Sequence, residues 1–542
     1  MHRTRFSLST LPLILLVGLL ALPVLALLAS WLPWGVVQAD TGAILREMAS
    51  TVLPGYVWTT LWLGLWVAVG AAVVGTATAA AVTLFEFPGR RVFEWLLLLP
   101  LAMPAYVTAY AYTDFLQFSG PLQVGLRETF GLEGRLLPEV RSLWGAIWVF
   151  TFSLYPYVYL LARTALGERA AHLMEAARLL GAPLSRRITS IALPLARPAV
   201  AAGVALALME TLADFGVTSY FGIQTFTTGI IKAWLSMDNR IAAAQLSPML
   251  LALVLVLLWL EHRAERRMRF TAKGAGHAGA TEAQPVPLRG LARGLAWGVC
   301  TLPVFMGFVA PVAFMLRPLA SDWSVLPWSR FLEWAWNSVR LGGITAGLAV
   351  AVALALAFAV RRRPDLLTRG VVRLASVGYA VPGAVIVVGL LLPVGWVQAH
   401  FPQWGVGALV TTTAVGIVWA YLVRFCAVAL QSVQSGYARI PASLDDSARM
   451  LGAGSARLMA NVHWPLLRRS TAAAALLVFV DVMKELPATM VLRPFNSDTL
   501  AVVAYQLARD ERLGEAALPS LALVAVGLVP VILLSRTLRG RA

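Results

Sequence analysis

Charge, cysteine and lysine are what this 542-residue sequence has least of. Asp, Glu, Lys and Arg together make up 13% of it, about half the share usual in a soluble domain. Cys300 and Cys426 offer neither a metal-binding spacing nor a disulfide framework. Lys232, Lys273 and Lys484 are the only lysines, and none stands in a GxxxxGK[ST] phosphate loop, so any ATP must be bound by another subunit. Six histidines without an HExxH pair, and no nucleophile constellation, give no support to an intramembrane enzyme. The alternating ten-residue pattern of an outer-membrane barrel is also missing.

What is present is apolar. Hydrophobic residues make up 59% of the chain and the mean hydropathy is +0.74. Several runs reach the roughly 20 residues needed to cross a bilayer core of about 30 Å. The fold class is therefore an all-α polytopic membrane protein. About twelve spans are expected, near 11–32, 57–85, 93–117, 143–163, 198–219, 243–261, 295–316, 334–360, 371–396, 405–430, 471–491 and 515–535. The first apolar run is longer than a signal-peptide core and reads as an uncleaved span. A net charge of +17 could suggest nucleic acid. Lys and Arg, however, crowd into the loops on the N-terminal side and are sparse on the other. That is the positive-inside pattern, which puts both termini in the cytoplasm.

The sequence also repeats itself. Glu175 to Pro194 reads EAARLLGAPLSRRITSIALP, and Asp446 to Pro465 reads DSARMLGAGSARLMANVHWP. The two stretches stand 271 residues apart, half the length of the chain. VWTTLWLG at 57–64 resembles AWNSVRLG at 335–342, and LAMPAYV at 101–107 resembles YAVPGAV at 379–385. The expected organisation is a first half over 1–261, with a permease-like domain at about 55–261, and a cytoplasmic linker over 262–292. A second half covers 293–542, with its domain at about 333–536. Six spans separate the copies, so the halves are parallel repeats about an axis along the membrane normal. Each polar motif follows an even-numbered span and faces the cytoplasm. A short helix with Ala and Leu at helical spacing should end at Gly181, which can take a positive φ, and the second copy should end likewise at Gly452. An amphipathic helix lying on the membrane surface is the plainer reading of either copy alone.

The spacing EAA-x3-G-x9-I-x-L-P resembles the coupling-loop signature of type I binding-protein-dependent ABC importer permeases. The first copy matches at each signature position. The second departs with Asp446, Ser447, Val462 and Trp464. The resemblance implies a type I permease architecture in a bacterial inner membrane, and it gives Glu175, Ala176, Ala177, Gly181, Asp446, Ser447, Ala448 and Gly452 a role in coupling to an ATPase. It also implies two copies of a cytoplasmic ATPase carrying ATP and magnesium, with no cofactor in this chain, and an extracytoplasmic binding protein, either periplasmic or a lipoprotein.

Ionisable residues inside spans are costly and functional by default. Glu210 and Asp214 in METLADFG, and Asp481 and Glu485 in DVMKELP, recur at the 271-residue offset. Each pair is spaced i, i+4, which puts both carboxylates on one helix face. These acids could ring a cation pathway, and carboxylate oxygens suit a hard ion such as Fe(III) in transient contact. They could equally pair with Lys484, a buried arginine or backbone donors and hold helices together. Asp114, downstream of Tyr106, Tyr110 and Tyr112, could add ligands near the outer end of the third span, although an interfacial aromatic belt also accounts for the tyrosines. ADFGVTSYFGIQTFTTGIIKAW at 213–234 and DVMKELPATMVLRPFNSDTLAV at 481–502 resemble fused ferric-iron permeases. Relatives of that group move thiamine, polyamines or phosphonates. An ion-coupled secondary transporter with the membrane acids as its relay would also fit two parallel halves.

Overall fold

A bilayer core leaves backbone amides no water to bond, so a chain this apolar must satisfy them within helices. The computed structural model describes residues 11–31, 41–167, 171–273, 285–321, 323–324, 326–362 and 365–539. Among these, nine helices are long and apolar enough to cross a membrane, or ten if Arg90–Ala102 and Ala105–Phe130, bent by 88° at their junction, form one span. Two of the expected twelve spans lie on helices that do not pass this test of length and composition. The first expected span is the shorter apolar helix Leu11–Ala29. The span expected at 471–491 falls in Trp464–Lys484, whose Arg468, Arg469, Asp481 and Lys484 make it too charged to qualify by composition.

The helices gather into two compact units. One comprises residues 1–48, 230–251 and 328–503, and the other residues 49–229, 252–327 and 504–542. The units therefore cut across the sequence halves. In the first unit the N-terminal helix Leu11–Ala29 lies on Gly383–His400 from the far half of the chain. The indole Nε1 of Trp419 donates to the Leu19 carbonyl at 3.0 Å there. In the second unit the anchor Leu291–Ser321 lies on helices of the near half. The Tyr112 hydroxyl donates to the Met306 carbonyl at 2.7 Å, and Phe115 stacks on Phe314 with ring centroids 4.0 Å apart. The expected linker is not one loop: residues 262–273 continue the helix Arg240–Lys273, 274–284 lie outside the described residues, and Val286–Pro287 pairs in parallel with Phe85–Glu86.

Each unit is built round three tightly packed helices. In the second unit these are Leu53–Leu84, Leu143–Ala165 and Leu193–Ala213. Val158 is clasped between Gly75 and Gly203: a Cβ on Gly75 would fall 2.6 Å from Val158 Cβ, and one on Gly203 would fall 2.6 Å from Val158 Cα. The corresponding positions in the first unit, on Trp328–Arg362, Ala414–Tyr437 and Trp464–Lys484, are Ala353, Ala429 and Ala474, all buried. Glycine, valine and glycine carry as many side-chain carbons as three alanines. Both units thus reach the close approach that membrane helix packing needs, with the volume distributed differently.

Gly203→Leu should overpack this crossing by about 1–3 kcal/mol. The expected result is a lower melting temperature in detergent and less folded protein in the membrane. Gly298→Leu, where an added Cβ meets nothing within 4 Å, should leave both unchanged.

Candidate functional site: two matched loops and four membrane acids

The two polar motifs fold alike. Helix Ala171–Leu179 is followed by Gly181 at φ 78°, the short helix Leu184–Arg187, a π turn Ile188–Ala192 and the long helix Leu193–Ala213. Helix Ala442–Met450 is followed by Gly452 at φ 79°, Ser455–Leu458, a π turn Met459–His463 and Trp464–Lys484. Glycine is needed at both stops because a left-handed residue lets the amides beyond it close the helix. Ala182 N–H donates to the Ala177 carbonyl at 2.9 Å, and Ala453 N–H to the Ala448 carbonyl at 3.0 Å. Glu175, Ala176, Asp446 and Ser447 are exposed, and Ala177 and Ala448 half-buried. Each knob ends in two apolar side chains standing in the open: Leu179 and Leu180 are 85% and 87% exposed, Met450 and Leu451 88% and 86%.

Each knob helix points one residue inward just before its motif, and here the copies differ. In the first that residue is Met174, in an apolar seat with Leu166 and Ala192. In the second it is Asp445, only 4% exposed. Arg361 grips its carboxylate through Nε at 2.9 Å and Nη2 at 3.2 Å, and His463 Nε2 approaches Oδ1 at 3.1 Å. Burial works against the Asp445 charge, but the hydrogen bonds from Arg361 and His463 outweigh it and hold the carboxyl below its ordinary range.

The membrane acids occupy two kinds of place. Glu210 and Asp481 lie within the helices Leu193–Ala213 and Trp464–Lys484, half-buried and each engaged in further interactions. Asp214 and Glu485 do not share their helix faces. Both helices stop one residue earlier, and these acids take extended backbone, at ψ 130° and 127°. The i, i+4 expectation fails because a new short helix begins just beyond each, with Gly216 opening one and Pro487 the other. Each carboxylate instead caps that new helix, accepting amides that the break leaves without partners. Asp214 Oδ1 accepts from Val217 N–H at 2.8 Å. Glu485 Oε1 accepts from Ala488 N–H at 3.0 Å, and Oε2 from the Thr489 amide at 2.9 Å and its hydroxyl at 2.7 Å. Arg424 Nη1 lies 3.3 Å from Glu485 Oε1, and both side chains are largely buried. For Glu485 the buried-arginine and backbone-donor reading is thus the one realised.

Asp114 is half-buried in the last turn of Ala105–Leu116. Tyr106 and Tyr110 upstream are buried in an aromatic cluster with Tyr220, rather than spread along an interfacial belt. Among the described residues no group of three or more His, Cys, Asp or Glu could hold a metal ion. Sequence reasoning missed Asp445 and Arg361. Comparing the copies outside the motif would have flagged the first, since Met174 and Ala192 stand where Asp445 and His463 do.

Glu485→Ala would leave Arg424 buried and unpaired, a loss of about 3–5 kcal/mol. The expected outcome is a large drop in detergent melting temperature, with Glu485→Gln falling between. For Asp445, whose carboxyl is depressed in the fold, the stabilisation is present at neutral pH and is lost as pH falls through its lowered pKa. Melting-temperature series from pH 7 downward should show a gap between wild type and Asp445→Asn that narrows with acid.

Residues 71–270 match the family model of the binding-protein-dependent transport system inner membrane component. The chain is 27% identical to the Fe(3+)-transport system permease protein FbpB 2 of Haemophilus influenzae over 485 residues, 88% of each chain. It is 25% identical to the probable ABC transporter permease protein y4fN of Sinorhizobium fredii over 515 residues, 89% of this chain and 87% of the relative. A putative 2-aminoethylphosphonate transport system permease protein, PhnU of Salmonella choleraesuis, matches at 28% over 174 residues, 32% of this chain and 61% of the relative. Such relatives are transport components rather than catalysts. Residues 71–270 thus form a domain of the binding-protein-dependent transport system inner membrane component family, in a chain that is similar along 88% of its length to a transport permease.

Proposed function

We propose that this permease imports ferric iron, handed to it by an extracytoplasmic binding protein and driven by two copies of a cytoplasmic ATPase. The observation that carries the substrate is similarity to an Fe(3+)-transport permease along 88% of both chains. Carboxylate oxygens, hard donors suited to a hard cation, supply the chemistry. Glu210 and Asp481 are the acids we assign to the pathway, making transient contact with Fe(III), and Asp114 to its outer approach. Asp214 and Glu485, occupied as helix caps, keep the breaks beside that pathway in shape.

The ATPases dock on the two knobs. Four apolar side chains left in the open at their tips are a surface that calls for a partner. Glu175, Ala176, Ala177 and Gly181 on one knob, and Asp446, Ser447, Ala448 and Gly452 on the other, form the contact and its hinge. ATP and magnesium sit on the partner subunits. Closure of the ATPase pair moves both knobs and, through the long helices that follow them, opens the pathway outward; hydrolysis resets it. Both termini then lie in the cytoplasm.

The test is uptake of ferric iron, thiamine, a polyamine and 2-aminoethylphosphonate in cells with and without the gene, before and after ATP depletion. Iron uptake should vanish with the gene and with ATP. Loss of a different solute would keep the ABC class and replace the substrate. Uptake that survives ATP depletion but collapses with the proton gradient would mean a secondary transporter. Gly181→Val with Gly452→Val imposes a left-handed strain of about 1–2 kcal/mol per site. It should abolish uptake with normal membrane insertion, and unchanged uptake would remove the coupling role.

A further inference from the structure

The two knobs share a backbone but not an attachment. The second is fixed by a polar chain that crosses four elements. Arg361, at the end of helix Trp328–Arg362, reaches both oxygens of Asp445 and also donates through Nη2 to the Pro441 carbonyl at 2.9 Å, just ahead of the coupling helix. Asp445 in turn holds His463, the last residue of the π turn that starts the next membrane helix. A carboxylate can only accept, so His463 Nε2 carries the proton in this contact. Its Nδ1 meets the Tyr437 hydroxyl, at the end of Ala414–Tyr437, at 3.2 Å. The ring is fully buried, edge-on to Phe358 and Tyr437. Networks of this kind, with each member satisfied, stiffen the elements they join.

The first knob has none of these partners. Met174, Ala192 and Leu166 stand at the positions of Asp445, His463 and Tyr437, all buried and all apolar. Thr83, which stands at the position of Arg361 by the 278-residue offset of these two helices, carries no charge, and nearby Arg90 pairs with Glu86 at 2.6 Å and Glu94 at 3.5 Å. Methionine contacts are soft and tolerate sliding, whereas a bidentate arginine–carboxylate pair fixes orientation.

We infer that Arg361, Asp445 and His463 are positioning residues that lock the second knob to three membrane helices as a rigid lever, while the first knob rides on a sliding apolar seat. The inference rests on the two knobs being the ATPase-docking loops. Movement at Ala442–Met450 is then delivered at once to the helices ending at Arg362 and Tyr437 and to the one beginning at Trp464. Movement at Ala171–Leu179 is absorbed in part before it reaches its own long helix.

The test uses the full chain assembled with its ATPase and binding protein in proteoliposomes. Spin labels are placed on single cysteines, Met450→Cys and Leu179→Cys; the native Cys300 and Cys426 are buried. The label at 450 should be the less mobile. Arg361→Thr, Asp445→Met and His463→Ala together copy the first seat and strand no charge, so this triple variant should fold and melt near wild type. It should nonetheless bring the label at 450 to the mobility of that at 179 and lower ferric iron transported per ATP hydrolysed by roughly threefold or more. Met174→Leu should change neither reading. Equal mobility in the wild-type knobs, or a wild-type transport ratio in the stable triple variant, would overturn the lever while ATP-driven uptake stands. Failure of the ATPase to bind, or uptake indifferent to ATP, would instead remove the docking reading beneath it.

Discussion

Breaking a helix among apolar neighbours frees amides that have no water to turn to, and the cost of leaving them bare governs much else in this molecule. Beyond Ala213 and beyond Lys484 the chain stops being helical, and in each case a carboxylate supplies the missing acceptors. The same two acids would be free ligands if the helices ran on. Because they are occupied, the chain gains a stable bend in each unit and loses two candidate contacts for a passing cation. The second bend carries the heavier load: Glu485 is buried, so its charge needs Arg424 as well as the amides.

A helix, a left-handed glycine, a short helix and a π turn recur in both knobs, with matching exposure at nearly every position. Beneath that likeness the chemistry diverges, methionine in one and a salt-bridged aspartate in the other. The three-helix crossings show the same freedom, one unit using glycine, valine and glycine where the other uses three alanines. Duplication has preserved backbone geometry and exposed surface while the buried side chains found separate solutions.

The helical class and the stops at Gly181 and Gly452 were legible in the sequence because each depends on local chemistry: composition, helical spacing and the left-handed tolerance of glycine. The i, i+4 argument for the acids was local too, and it failed for the same reason. It assumed an unbroken helix, whereas Pro487 and Gly216 start new ones. The tie of Arg361 to Asp445 joins residues 84 positions apart, and no periodicity points to such a pair. Nor could hydropathy reveal which helices share a unit, since lipid-facing and helix-facing sides of a membrane segment are equally greasy.

The exchange of anchor helices bears on how the protein is made. Leu11–Ala29 leaves the ribosome before the other described helices, and the surface it packs on, Gly383–His400, is synthesised more than three hundred residues later. At translation speeds of about 5–20 residues per second, the early helix waits for tens of seconds without its mate. Its uninterrupted apolar length keeps it in the lipid through that interval, so the fused chain must finish its first compact unit after its second is nearly complete.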